Sequence, residues 1–91
     1  MNMESLSNTG ESRASVSLAR IPVGETVVIL DVQIEGSLRE YVMRYGFVPG
    51  ASISVSRKVP LSGMRVYQVG QSQIALRPET AQAIIVTRDQ V

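Results

Sequence analysis

Cysteine and histidine are both missing from the 91 residues of this chain. Without cysteine there is no disulfide framework, no thiolate nucleophile and no thiolate-ligated zinc or iron–sulfur site. Without histidine the commonest general base and the imidazole ligand are gone, which leaves carboxylates, carbonyls and methionine sulfur for any metal. Serines are numerous, but none has a histidine to take its proton, and no Ser-x-x-Lys pair stands in. The glycines form neither GxGxxG nor GxxxxGK[ST], so phosphate cradling is disfavoured as well. Tryptophan is absent, and the aromatics are Tyr41, Tyr45, Phe47 and Tyr67 alone. The longest aliphatic runs, Val27 to Leu30 and Ala83 to Val86, fall far short of a membrane span. The opening MNMESLSNTGESRAS has neither the basic nor the apolar region of a secretory signal. The expectation is a non-enzymatic cytoplasmic protein with no cofactor, no metal site and no direct membrane insertion.

A chain this short makes one domain with a thin core, and so a binding surface in place of an enclosed pocket. The net charge is only +1, but Arg39, Arg44, Arg57, Lys58, Arg65 and Arg77 lie in a stretch whose sole acid is Glu40. That asymmetry predicts one basic face. Glu25, Asp31 and Glu35 sit near one strand but lack the spacing of a calcium loop or facial triad, and read as surface acids.

Residues 1–15, rich in serine and asparagine, are expected to be a disordered tail, with the domain spanning 16–91. Leu18 and Ile21 cover one edge of the core. Thr26 to Ile34 reads as a strand, with Val28, Leu30, Val32 and Ile34 on one face and Val27, Ile29, Asp31 and Gln33 on the other. At Gly36 the period changes. Leu38, Tyr41, Val42 and Tyr45 recur at helical spacing and predict a buried stripe, with Ser37 and Glu40 as a capping box and Gly46 as the left-handed terminator, followed by Phe47 packing on Val42. Ala51, Ile53 and Val55 alternate with Ser52, Ser54 and Ser56 in a second strand. Pro60 to Gly63 is a turn, Met64 to Val69 a strand of uncertain phase, Gly70 to Gln73 a turn and Ile74 to Leu76 a strand. Pro78 opens one helical turn and Ala83 to Thr87 closes the domain. The fold class is mainly β: a small barrel of about five strands with two short helices.

Two surface patches are candidates for partner binding. Met43, between Arg39 and Arg44, is placed by helical phase away from the stripe and should be exposed. Leu61 and Met64 flank the hairpin tip beside Arg57, Lys58 and Arg65. Either residue could instead fold back to cap the barrel end.

The order of elements and several short motifs resemble the FeoA domain: Leu18-x-x-Ile21-x-x-Gly24, Tyr45-Gly46-Phe47-Val48-Pro49-Gly50, Ile74-Ala75-Leu76-Arg77 and Ala81-x-x-Ile84-x-Val86. The resemblance implies an SH3-like barrel and a role assisting FeoB, the membrane ferrous-iron transporter that carries a cytoplasmic GTPase domain. It does not imply catalysis. The chain departs from the family pattern at Tyr41 and Tyr45, where Arg and Leu are usual, and in a hairpin tip without an acid. The same barrel closes iron- and manganese-responsive repressors, but these carry a DNA-binding domain and a His-rich metal site that this chain lacks. A metal-regulator-type barrel acting as an interaction module and a small nucleic-acid-binding barrel stand as alternatives. Scarce aromatics and low net charge disfavour nucleic acid. Homo-oligomerisation through an open edge is left open.

Overall fold

The protein is described from a computed structural model over residues 14–88. Most of the expected tail, residues 1–13, and residues 89–91 lie outside the described residues. The chain runs β1 (Val16–Ser17), a 3-10 turn (Leu18–Arg20), β2 (Thr26–Val32), α1 (Gly36–Arg44), β3 (Ser52–Lys58), β4 (Arg65–Val69), β5 (Ser72–Leu76), α2 (Pro78–Gln82) and β6 (Ile84–Thr87). The strands form one antiparallel sheet in the order β1-β6-β2-β3-β4-β5. There are thus six strands in place of about five, because the two residues of β1 pair with β6. No ladder joins β5 to β1, so the sheet curls without closing.

Two bulges account for where strand phase departs from the simple alternation. In β2, Ile29 pairs with Val86 and Asp31 with Ile85, leaving Leu30 as the extra residue. An extra residue moves the following side chains to the opposite face. The core side of β2 is therefore Val27 and Ile29 before the bulge and Val32 and Ile34 after it, whereas Val28 and Leu30 are only half-buried. In the β3–β4 pair the register shifts between Val55 and Arg57, leaving Ser56 unpaired. Val66 and Tyr67 are neighbours in sequence and both buried, Tyr67 in the main core and Val66 outside it. In β3, Ile53 and Val55 point inward as the alternation predicts. The turn after β4 shortens to Gly70-Gln71, and β5 starts at Ser72.

Helix α1 ends as its sequence indicates. Gly46, at φ 104°, donates to Met43 O at 3.0 Å, and Phe47 N donates to Val42 O at 3.2 Å, which is the paired bonding of a Schellman terminator. A side chain here would fail twice, since a Cβ on Gly46 would lie 2.8 Å from Val69 Cγ1. The start differs. Gly36, at φ 71°, turns the chain into the helix, and the N-terminus has no side-chain cap, so Ser37 and Glu40 do not form the expected box.

The buried face of α1 is also displaced by one position. Val42 is fully buried and Met43 packs against the core, while Leu38, Tyr41 and Tyr45 are each more than 40% exposed. The side turned to the sheet follows Arg39, Val42, Met43 and Gly46, the same helical spacing shifted by one residue. Arg39, on that side, donates from Nη1 to Val32 O at 2.6 Å, at the end of β2.

Candidate functional site

The β3–β4 hairpin is closed at its tip by main-chain and side-chain hydrogen bonds. Val59 N donates to Met64 O at 2.9 Å; below it, Ser62 Oγ donates to Val59 O at 3.0 Å and accepts from Met64 N at 3.1 Å. The serine braces a tight tip, Pro60 to Gly63, in which Leu61 stands at φ 63°. A left-handed conformation costs a residue with a Cβ about 1–2 kcal/mol. Leu61 is fully exposed, at 107% of its reference surface, so burial offsets none of that strain. It does not fold back onto the barrel end; Met64, by contrast, is half-buried.

Three shallow depressions surround this hairpin. The largest, about 350 Å³, lies between Lys58, Pro60, Leu61 and Met64. A second, about 240 Å³, continues from Lys58 and Arg65 to Ala19, Leu76 and Pro78. The third, about 240 Å³, runs from Met64 to Leu38 and Tyr41 of α1, with Leu76, Arg77 and Thr80 opposite. The first two share Lys58, Gly63 and Arg65, the first and third share Met64, and the second and third share Leu76, so they form one continuous face. Its charged residues are Lys58, Arg65 and Arg77, with no carboxylate among the lining side chains. The ion pair among the described residues, Arg88 Nε to Glu25 Oε1 at 2.8 Å, is elsewhere, so Lys58 and Arg77 are not neutralised by a described acid.

The candidate residues named from sequence separate into three groups. Lys58, Leu61, Met64 and Arg65 come together on this face. Arg57 is exposed on β3 and lines none of the three depressions. The helix joins the face through Leu38 and Tyr41, whereas Arg39, Met43 and Arg44 lie on other sides of α1. Met43, expected exposed, is half-buried against the core because of the one-residue rotation. Leu38, Tyr41 and Arg77 were not among the candidates. Their signal in the sequence was the departure at Tyr41 and the basic residue that follows β5.

Arg65 belongs to this face only by its edge. Its guanidinium donates to Ile21 O at 2.6 Å, Leu18 O at 2.9 Å and Ala19 O at 3.0 Å, and Nε donates to the Tyr67 hydroxyl at 3.2 Å. The same group lies 5.6 Å from the Tyr67 ring centroid. Four acceptors hold the cation without a carboxylate, and the three carbonyls tie the start of β4 to the 3-10 turn and the residue that follows it. Burial pushes the Tyr67 phenol above its usual range, while the Arg65 hydrogen bond and charge pull the other way.

Among the described residues no group of three or more acids could hold a metal ion, and no helix is long and apolar enough to cross a membrane. Phe47 and Tyr67 are inside the core, so the ring faces open to a ligand are those of Tyr41 and Tyr45, which pack edge to face at 5.1 Å.

The FeoA domain family matches residues 16–88. Among solved structures, the iron(II) transport protein A of Clostridium thermocellum is 32% identical with a TM-score of 0.73, over 79% of this chain and 44% of that one. The FeoA protein of Chlorobium tepidum is 25% identical with a TM-score of 0.74, over 79% of this chain and 69% of that one. FeoA of Stenotrophomonas maltophilia, an SH3 domain protein solved with zinc, is 27% identical with a TM-score of 0.68, over 78% of this chain and 88% of that one. No curated protein matches the chain in sequence.

Proposed function

This chain belongs to the FeoA family, linked to ferrous iron transport, and from that premise we propose that it is a non-enzymatic accessory protein docking on the cytoplasmic side of a FeoB-type membrane transporter. The observation that carries the reading is Leu61. An apolar side chain is held fully outward, in a strained backbone conformation, beside an apolar face that bears cations and no acid. Strain of this kind persists where the surrounding structure enforces it, and it concentrates at contact sites. Leu61 is the projecting contact, Met64 the floor beside it, and Lys58 and Arg77 set the sign of the partner surface.

The test is titration of the purified chain against the detergent-solubilised transporter, and separately its GTPase domain, with and without nucleotide and ferrous iron. Saturable binding that falls at least about tenfold in Leu61→Asp and Met64→Asp is the expected result for a hot-spot contact. Binding unchanged in both variants removes the hairpin from the interface, and no binding in any state removes the transporter as partner.

A further inference from the structure

We propose that the free edge of β5 takes up an extended segment of the partner polypeptide as an added strand, and that this segment combines apolar with acidic side chains. The inference rests on the docking reading above and specifies how the partner is held.

The outer edge of β5 has open backbone groups. β5 pairs with β4 over five consecutive positions without a bulge, and no strand among the described residues pairs with its other side. The two-residue turn Gly70-Gln71 makes Val69 and Ser72 a hydrogen-bonded pair, and bonded pairs alternate along an antiparallel ladder. Ile74 and Leu76 therefore bond inward to β4, and the N–H and C=O of Gln73 and Ala75 point away from the sheet. Natural edges are usually blunted by charge, proline or a bulge. Ser72-Gln73-Ile74-Ala75-Leu76 has none of these, and the Gln73 side chain leans back over β4, donating to Gln68 Oε1 at 2.8 Å. At the opposite end of the sheet, β1 is only two residues long.

The groove beside this edge indicates what the added strand carries. Ala75, Leu76 and Arg77 form one wall, and Leu38 and Tyr41 of α1 form the other, with Met64 between. Apolar side chains on one face of an added strand would meet Leu38, Tyr41 and Met64. Arg77, at the end of β5, lines this groove and calls for a carboxylate. A second copy pairing edge to edge would bring its own Arg77, and no described acid, against this groove. A nucleic acid has no peptide groups to complete the Gln73 and Ala75 ladder. An acidic and apolar peptide segment satisfies both the charge and the backbone.

The proposal is tested by amide hydrogen exchange on the isotopically labelled full chain. The probes are a short synthetic peptide alternating valine with aspartate, its lysine counterpart, and the solubilised transporter. The expected result is slowing of the Gln73 and Ala75 amides by about tenfold or more with the aspartate peptide and with the transporter, and no slowing with the lysine peptide. Transporter protection of Ser62 and Met64 without Gln73 and Ala75 overturns strand addition while docking stands. Peptide protection with none from the transporter supports the edge and overturns the transporter as its partner. Equal slowing by the lysine peptide overturns the acidic assignment, and slowing that grows with protein concentration alone overturns the foreign segment in favour of a second copy. Ala75→Pro, which removes an outward N–H, is expected to abolish peptide protection at Gln73. Because the exchange comparison uses the unaltered chain, misfolding of that variant does not affect the decision.

Discussion

Two regions of this protein leave main-chain groups outside the ladders of the sheet, and the chain treats them in opposite ways. At the 3-10 turn and the residue after it, the carbonyls are taken up by one side chain: Arg65 of β4 reaches three of them and the Tyr67 hydroxyl. Along β5 and the hairpin tip, strand amides, a groove and a leucine in a left-handed conformation are left toward solvent. On the proposed docking reading the Arg65 side serves stability and the β5 side recognition, and substitutions on each side can separate the two.

Arg65→Ala gives the largest expected effect. Hydrogen bonds to a charged group contribute about 1.5–3 kcal/mol each but do not add fully, so a loss of about 3 kcal/mol is expected in chemical denaturation. Amide exchange at Ile21, whose N–H bonds Leu18 O at 3.1 Å, should rise before exchange in the paired centre of β2 and β3. Partner affinity measured on the folded fraction should change little. A stable Arg65→Ala protein with lost affinity would reverse the assignment of the two sides.

The division was only partly legible in the sequence. Local signals located the elements: Gly46 and Phe47 end α1 with the bonding their order indicates, Pro78 opens α2, and the serine alternation sets the wet face of β3. What failed was phase. Leu30 and Ser56 are bulge residues, and a bulge leaves no mark in a pattern of alternating apolar residues. The same limit applied to α1, where Leu38, Tyr41, Val42 and Tyr45 make a convincing stripe, yet Val42 and Met43 pack on the core, Arg39 bonds Val32 O, and only Val42 of the four is buried. Long-range side-chain to main-chain bonds are not periodic. For that reason Arg65 looked like one more surface cation, and Leu38 and Tyr41 looked like core.

Tyr67 sharpens the comparison with an intermediate effect. It is almost wholly buried and its phenol is shifted upward, chiefly by burial. With a folded pKa above the unfolded value of about 10, the contribution is fully present below pH about 10. It is lost as pH rises from there through the folded value, because the unfolded chain ionises first. Tyr67→Phe removes this part of the alkaline loss, and at neutral pH it costs about 1 kcal/mol for the acceptor taken from Arg65 Nε. Denaturation midpoints of the two proteins between neutral and strongly alkaline pH should therefore converge. A gap that widens with pH would mean that the phenol is not held neutral by the fold.

Leu61→Gly has the smallest expected effect on stability and addresses the open side directly. Glycine relieves about 1–2 kcal/mol of left-handed strain. Its greater freedom in the unfolded chain takes back about 0.5–1 kcal/mol. The net is a gain of about half a kcal/mol, and no core packing is sacrificed, since the leucine is fully exposed. Affinity for the transporter should fall as it does in Leu61→Asp, although no charge is introduced. A residue whose removal leaves the fold slightly more stable and the complex weaker is held in place by the complex. If instead Leu61→Gly keeps full affinity, the tip is merely a strained turn, and the recognition assigned to the open side must come from the β5 edge and the Leu38–Tyr41 groove alone.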